Sequence, residues 1–157
     1  MAITKGQQAP DFTLMDNAKN MVTLSEQKGK NVLLLFFPLA FTGVCTKELC
    51  SVRDNMAIYN QLNSQVYGIS VDSIFSLDKF KQEQNYNFPL LSDFNKVVST
   101  AYGSIYETFF GGMEGVSKRS AFVIDKEGIV QYAEVLENAG EVPDFDAIKN
   151  CLETLNS

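Results

Sequence analysis

The chain has 157 residues, with 13 Lys and Arg against 19 Asp and Glu, a net charge of −6, three cysteines and neither histidine nor tryptophan. Without histidine there is no Ser-His-Asp triad, no Cys-His pair, no imidazole base and no His-containing zinc site, so chemistry falls to Cys, carboxylates, Lys, Tyr, Ser, Thr or a cofactor. The acidic balance excludes general binding to nucleic acid or anionic membrane, since phosphate contact needs a basic face. A hydrophobic fraction of 45% over this length predicts one compact domain, residues 1–157, with a core that needs no staples. An odd cysteine count argues against a fully paired secreted framework. The stretch from Met1 to Pro10 lacks the apolar core of a signal peptide. The longest apolar run, Val32 to Ala40, is about half a membrane span. A soluble protein of the reducing cytoplasm is expected.

Asp11–Leu14 and Met21–Leu24 alternate in polarity around a polar turn at Asp16–Asn20, predicting an antiparallel hairpin. Asn31–Phe37 is continuously apolar and ends at Pro38, as a central strand covered on both faces would. From Thr42 to about Asn63 the pattern turns helical, with Leu49, Val52, Met56, Ile58, Tyr59 and Leu62 on one broad face. Gln65–Val71 reads as a second central strand. Ser73 then caps a helix to about Asn85. Phe88–Ser92 is a short strand, and Asp93 or Asn95 starts a brief helix that stops near Gly103. After a loose stretch with Gly111, Gly112 and Gly115, Arg119–Ile124 and Ile129–Val135 flank the turn Asp125-Lys-Glu-Gly128 as a hairpin. Pro143 opens a last helix through Leu155. The order β-β-β-α-β-α-β-α-β-β-α is that of an α/β protein. A central β-α-β followed by a hairpin and a closing helix resembles the thioredoxin fold, here with an N-terminal β-hairpin extension and a central mixed β-sheet flanked by helices.

Cys45 falls just after a buried strand, in the first turn of the long helix, at the edge where α/β proteins place their chemistry. Unpaired backbone N–H groups and the positive end of the helix dipole favour a thiolate there. By position alone it reads rather as a small buried hydrophobe, since free Cys is among the most buried residue types. The neighbours decide: Pro38-Leu-Ala-Phe-Thr42-Gly-Val-Cys45 matches the Pro-x-x-x-Thr-x-x-Cys signature of peroxiredoxins. The resemblance runs from about Gly6 to Leu155. Phe36–Cys45, Phe88–Asp93, Ala101–Gly103 and Arg119–Asp125 are similar to the alkyl hydroperoxide reductase E branch, with the bacterioferritin-comigratory (peroxiredoxin Q) branch a near second.

The resemblance implies a thiol-dependent peroxidase that reduces hydrogen peroxide and organic hydroperoxides through a cysteine sulfenic acid, with no cofactor and no metal. Lowering a thiol pKa from about 8.5 toward 6 raises thiolate occupancy at pH 7 by only some tens-fold, roughly 3 kcal/mol, so selectivity for peroxides must come from donors that align the two oxygens. By resemblance Cys45 is the peroxidatic nucleophile. Thr42 (through its hydroxyl), Arg119 (through its guanidinium) and the N–H groups of Val44 and Cys45 hold the peroxide. Pro38 shields the thiolate and Glu48 orients Arg119. Each has a plainer alternative: Pro38 ends a strand, Thr42 caps a helix, Glu48 complements the helix dipole, and Arg119 is a solvated strand-edge charge.

Cys50 follows Cys45 by five residues, the spacing of the peroxiredoxin Q group, whose members often join these cysteines. The resemblance makes Cys50 the resolving cysteine; otherwise it is an ordinary helix residue. Five residues along a helix place Cα atoms roughly 8–9 Å apart, beyond the ~7 Å a disulfide spans, so oxidation must unwind the first turns. Cys151 reads as core packing, with a late resolving cysteine as the alternative. The implied partners are a peroxide, a thioredoxin- or glutaredoxin-type reductant and a second copy of the chain meeting at the loop around Phe41, with no nucleic acid and no membrane. Leu39, Phe41, Phe80, Phe109 and Phe110 are candidates for an apolar entrance or a dimer patch. Asp72, Asp78, Asp125 and Glu127 read as caps and turns. A redox sensor or holdase, or a general thiol–disulfide oxidoreductase, is the alternative function, although the latter normally needs a Cys-x-x-Cys that is absent. With no imidazole and an arginine that stays charged, only the thiol is expected to set the low-pH limb of activity, with no separate imidazole limb near neutrality.

Overall fold

The computed structural model describes residues 3–27 and 29–156; the side chain of Cys45 lies outside the described part. Seven strands form one mixed sheet in the order β2-β1-β5-β4-β3-β6-β7. Its centre is β3 (Asn31–Phe36), buried at every position. β3 pairs in parallel with β4 (Ser64–Ser70), which pairs in parallel with β5 (Leu90–Ser92). On its other side β3 meets β6 (Arg119–Ile124) in antiparallel fashion, and β7 (Val130–Leu136) closes that edge as the second arm of a hairpin. The N-terminal hairpin, β1 (Thr13–Asp16) and β2 (Met21–Thr23), extends the opposite edge by laying β1 antiparallel on β5.

Alternating side chains of β3 serve two cores, as burial on both faces of a central strand requires. Leu33 and Leu35 join a cluster with Leu49, Tyr59, Leu77, Phe80, Ile148 and Leu152. These come from α1 (Gly43–Asp54), α2 (Met56–Gln61), α3 (Ile74–Gln84) and α5 (Phe145–Leu155). Leu34 and Phe36 face Ala9, Phe12, Leu24 and Tyr102, together with Val98 of α4 (Val97–Ala101). β4 packs too closely at Gly68 to admit a side chain: a Cβ there would stand 2.7 Å from Leu90 Cδ2 and 3.3 Å from Phe37 Cε1.

The thioredoxin-like α/β architecture with its hairpin extension is as the sequence predicts, and several local readings are corrected. The long helix is two helices divided at Asn55, whose backbone leaves helical geometry (φ −111°, ψ 14°) while its Nδ2 donates to the Ser51 carbonyl. Such back-bonding by a short amide side chain competes with the helix ladder. Ile58, placed on the buried face by periodicity, is exposed. Leu24 leaves the second strand to begin a 3-10 turn (Leu24–Gln27). β5 is shorter than the expected Phe88–Ser92, with Phe88 given to the core. α5 opens at Phe145, two residues after Pro143, and is capped by Asp144, whose carboxylate accepts from Ala147 N–H at 3.0 Å. Ser73 caps α3 as expected, accepting from Ser76 N–H at 3.2 Å. Asp93 reaches forward to accept from Val98 and Ser99 N–H and so anchors α4. Phe80 is wholly buried in the core, whereas Phe41 and Phe110 are exposed. Among the described residues no helix is long and apolar enough to cross a membrane.

Candidate active site

The carboxyl end of β3 leads directly into the segment that carries the motif. Phe37 N–H still donates to Ile69 O, and Pro38 is buried as the chain leaves the sheet. Ala40 N–H donates to Asp72 Oδ2 at 2.8 Å, which ties the loop to the end of β4. Phe41 adopts a left-handed backbone (φ 68°) and rests its ring on Phe80, with centroids 5.1 Å apart. A bulky residue there costs energy that surrounding contacts must offset. Thr42 sits at the N-cap position of α1 in extended conformation. Its hydroxyl does not cap the helix but donates to Leu39 O at 3.0 Å. Thr42 is exposed, and its carbonyl accepts from Thr46 N–H and Oγ1. Cys45 occupies the first turn of α1.

Antiparallel register brings Arg119 to the same place. Phe36 is opposite Ser120, so Arg119, the first residue of β6, stands beside the end of β3. It is no solvated strand-edge charge: Arg119 and Glu48 are each 1% exposed. Arg119 Nη1 donates to Glu48 Oε1 at 2.8 Å, and its Nε donates to the Ala139 carbonyl at 3.1 Å. Glu48 lies three residues after Cys45 on α1, one helical turn along the same face. Burial pushes the Glu48 carboxyl up from 4.5 to about 7, with the charge and hydrogen bond of Arg119 pulling the other way. The second carboxylate oxygen, Oε2, is buried with no hydrogen-bond partner among the described residues.

Cys50 is half-buried on α1 as a free thiol. Its Sγ lies 3.5 Å from Gln84 Oε1, to which it donates, and 3.8 Å from the Tyr86 hydroxyl. Tyr86 also donates to Thr46 O at 3.3 Å, and Asn87 Nδ2 donates to Arg53 O. Residues 84–87 thus clasp α1 from Thr46 to Arg53. Cys151, also a free thiol, packs on the core near Gln131 O. Burial pushes its thiol up against the opposing pull of Lys5, which disfavours a nucleophilic role. The sequence motif carried no trace of three contributors: the Ala139 carbonyl, the Asp72 anchor and the Tyr86–Gln84 clasp. A backbone acceptor leaves no signature in residue type, and Tyr86 reads only as one more aromatic of the core.

The pattern of the AhpC/TSA family matches residues 5–133. The chain belongs to that family. It is 42% identical over 142 residues to alkyl hydroperoxide reductase E of Mycobacterium tuberculosis, covering 88% of this chain and 89% of that one. It is 40% identical over 131 residues to the putative peroxiredoxin bcp of Coxiella burnetii, covering 83% and 87%. Among solved structures, that of peroxidoxin BcpB from Mycobacterium tuberculosis superposes with a TM-score of 0.87 at 29% identity over 99% of each chain. This peroxiredoxin is accordingly an oxidoreductase, a thiol peroxidase, with the fold that its sequence resemblance implies.

Proposed function

We propose that Cys45 is the peroxidatic nucleophile of this peroxiredoxin and that its substrates are hydrogen peroxide and organic hydroperoxides. The Cys45 thiolate attacks one peroxide oxygen: an S–O bond forms, the O–O bond breaks, and the leaving oxygen departs as alkoxide or hydroxide and takes up one proton. Cysteine is oxidised to sulfenic acid as the peroxide is reduced to alcohol or water. The observation that carries this reading is the buried Arg119–Glu48 pair one helical turn from Cys45, at the carboxyl end of β3. A fixed guanidinium in a dry setting stabilises charge on the thiolate and on the leaving oxygen far better than a solvated one. In this reading Thr42 and the first-turn N–H groups align the peroxide, Pro38 limits access of water, and Glu48 fixes the Arg119 fork.

Cys50 then attacks the sulfenic acid, forming a Cys45–Cys50 disulfide and releasing water. A thioredoxin- or glutaredoxin-type dithiol reduces that disulfide. The half-buried free thiol at Cys50 supports this role, whereas the elevated thiol of Cys151 argues for packing. Because α1 runs unbroken from Gly43 to Asp54, resolution requires its first turns to open. A homodimer that covers the exposed Phe41 loop and residence in the reducing cytoplasm complete the reading. The test is rapid-mixing peroxide consumption by wild type and Cys45→Ser, followed by mass spectrometry after one equivalent of peroxide. Loss of consumption in the variant and a Cys45–Cys50 disulfide in wild type are expected. Consumption that survives the substitution would overturn the nucleophile, and a Cys45–Cys151 disulfide would overturn the resolving assignment.

A further inference from the structure

Glu48 uses only one of its two carboxyl oxygens. Oε1 accepts from Arg119, while Oε2 is buried without a donor among the described residues. An ionised carboxylate needs donors on both oxygens to offset its lost hydration, and an orphaned charged oxygen is costly. A proton on Oε2 removes that cost and leaves the Oε1 bond to Arg119 intact. Among the described residues the surrounding charges do not supply another counter-ion. Lys47 of α1 is exposed; Lys118, the residue before Arg119, is engaged by Glu137; and Glu141, in the segment after Ala139, is exposed. Cys45 lies one turn earlier on α1.

We propose that Glu48 holds on Oε2 the proton that peroxide cleavage consumes, and releases it when Cys45 is oxidised. This rests on the reading that the Cys45 thiolate shares Arg119 with Glu48. In the reduced site the charges are thiolate −1, Arg119 +1 and Glu48 neutral. In the oxidised site they are sulfenic acid neutral, Arg119 +1 and Glu48 −1. The buried site stays neutral throughout, which a low-dielectric setting favours over any state with a net charge. The balance is thiolate plus peroxide plus Glu48 carboxylic acid giving sulfenic acid, alcohol or water, and Glu48 carboxylate. The proton passes from Oε2 to the leaving oxygen, and no proton is drawn from the medium. The elevation of the carboxyl to about 7 agrees with a neutral group in the reduced state, and a thiolate on the same guanidinium raises it further.

The experiment measures proton uptake with a pH indicator in weakly buffered solution near pH 7.5, after one equivalent of hydrogen peroxide, for wild type and Glu48→Gln. Wild type is expected to take up less than about half a proton per Cys45 oxidised and the variant about one, since Gln cannot release any. Infrared difference spectra of wild type need no variant and should show loss of a buried carboxylic acid band on oxidation. Equal uptake in both proteins, or no carboxylic acid band lost, overturns the inference while leaving the peroxidase reading in place. Peroxide consumption that survives Cys45→Ser overturns that reading and this inference with it.

Discussion

Arg119 and Glu48 form a buried pair whose two members depend on each other. Removing either leaves an uncompensated charge or an orphaned donor, a change that typically costs 3–5 kcal/mol. The pair also links stability to pH. The carboxyl titrates near 4.5 in the unfolded chain and at about 7 in the folded one, because burial disfavours its charge. Between those values the folded state holds a proton that the unfolded state has released. The resulting stabilisation is full below about pH 4.5 and is lost as pH rises through about 7. A shift of this size corresponds to about 3 kcal/mol. Glu48→Gln has no proton to exchange, so the stability of wild type relative to the variant should fall by about that amount between pH 4.5 and 7.5, read from urea midpoints. A constant difference across the range would mean that Glu48 is ionised throughout. The residue types of this pair were legible in the motif and in the resemblance, but their burial was not. An arginine that opens a strand looks like an exposed end until the register against β3 is known. The elevation of the Glu48 carboxyl was hidden for the same reason, because it comes from tertiary burial.

The behaviour of α1 is decided by contacts from outside the helix. Periodicity carried the helical pattern past Asn55, since apolar spacing is indifferent to one polar residue; the break arises from an amide side chain taking the Ser51 carbonyl. The helix cap was legible where the chemistry is local, as at Ser73, whereas the start of α5 lies two residues beyond the predicted Pro143. The clasp by residues 84–87 was not legible, because it joins positions about 36 apart and depends on how α3 ends. Tyr86 holds Thr46 O and sits against Cys50 Sγ, and its ring packs on Phe80 and Phe88. Tyr86→Phe keeps the ring packing and removes the hydroxyl. One neutral hydrogen bond contributes about 1 kcal/mol, so opening of the first turns should become about fivefold more favourable. Disulfide formation after peroxide should accelerate by a similar factor, while peroxide consumption by reduced protein stays as in wild type. Amide exchange across residues 43–50 should rise in parallel, whichever cysteine resolves the sulfenic acid. Unchanged exchange in the variant would remove the clasp as a control on α1.

At the scale of the molecule, the run of elements along the chain was readable, but the sheet order was not. Alternation in the first hairpin predicts that its strands pair with each other. That β1 then docks on β5, with Met15 opposite Ser92, depends on which sheet edge is free once β3, β4 and β5 have assembled. This arrangement leaves the loop after β3 on the surface with its aromatic residue outward. Phe41 is 50% exposed yet held in a left-handed backbone by its contact with Phe80. The chain therefore presents a half-exposed aromatic ring packed on Phe80. Rigid aromatic rings lose little entropy on association and are favoured as anchors of interfaces. Under the proposed dimer, each copy would bury this ring against the other. Phe41→Glu would place a carboxylate on each side of the same contact, adding repulsion and desolvation to the lost apolar area. Wild type should sediment as a dimer at micromolar concentration and the variant as a monomer, with far-UV circular dichroism unchanged. A wild type that is already monomeric, or a variant that keeps the mass of the wild-type dimer, would remove Phe41 from any interface and leave the loop as part of the peroxide entrance alone.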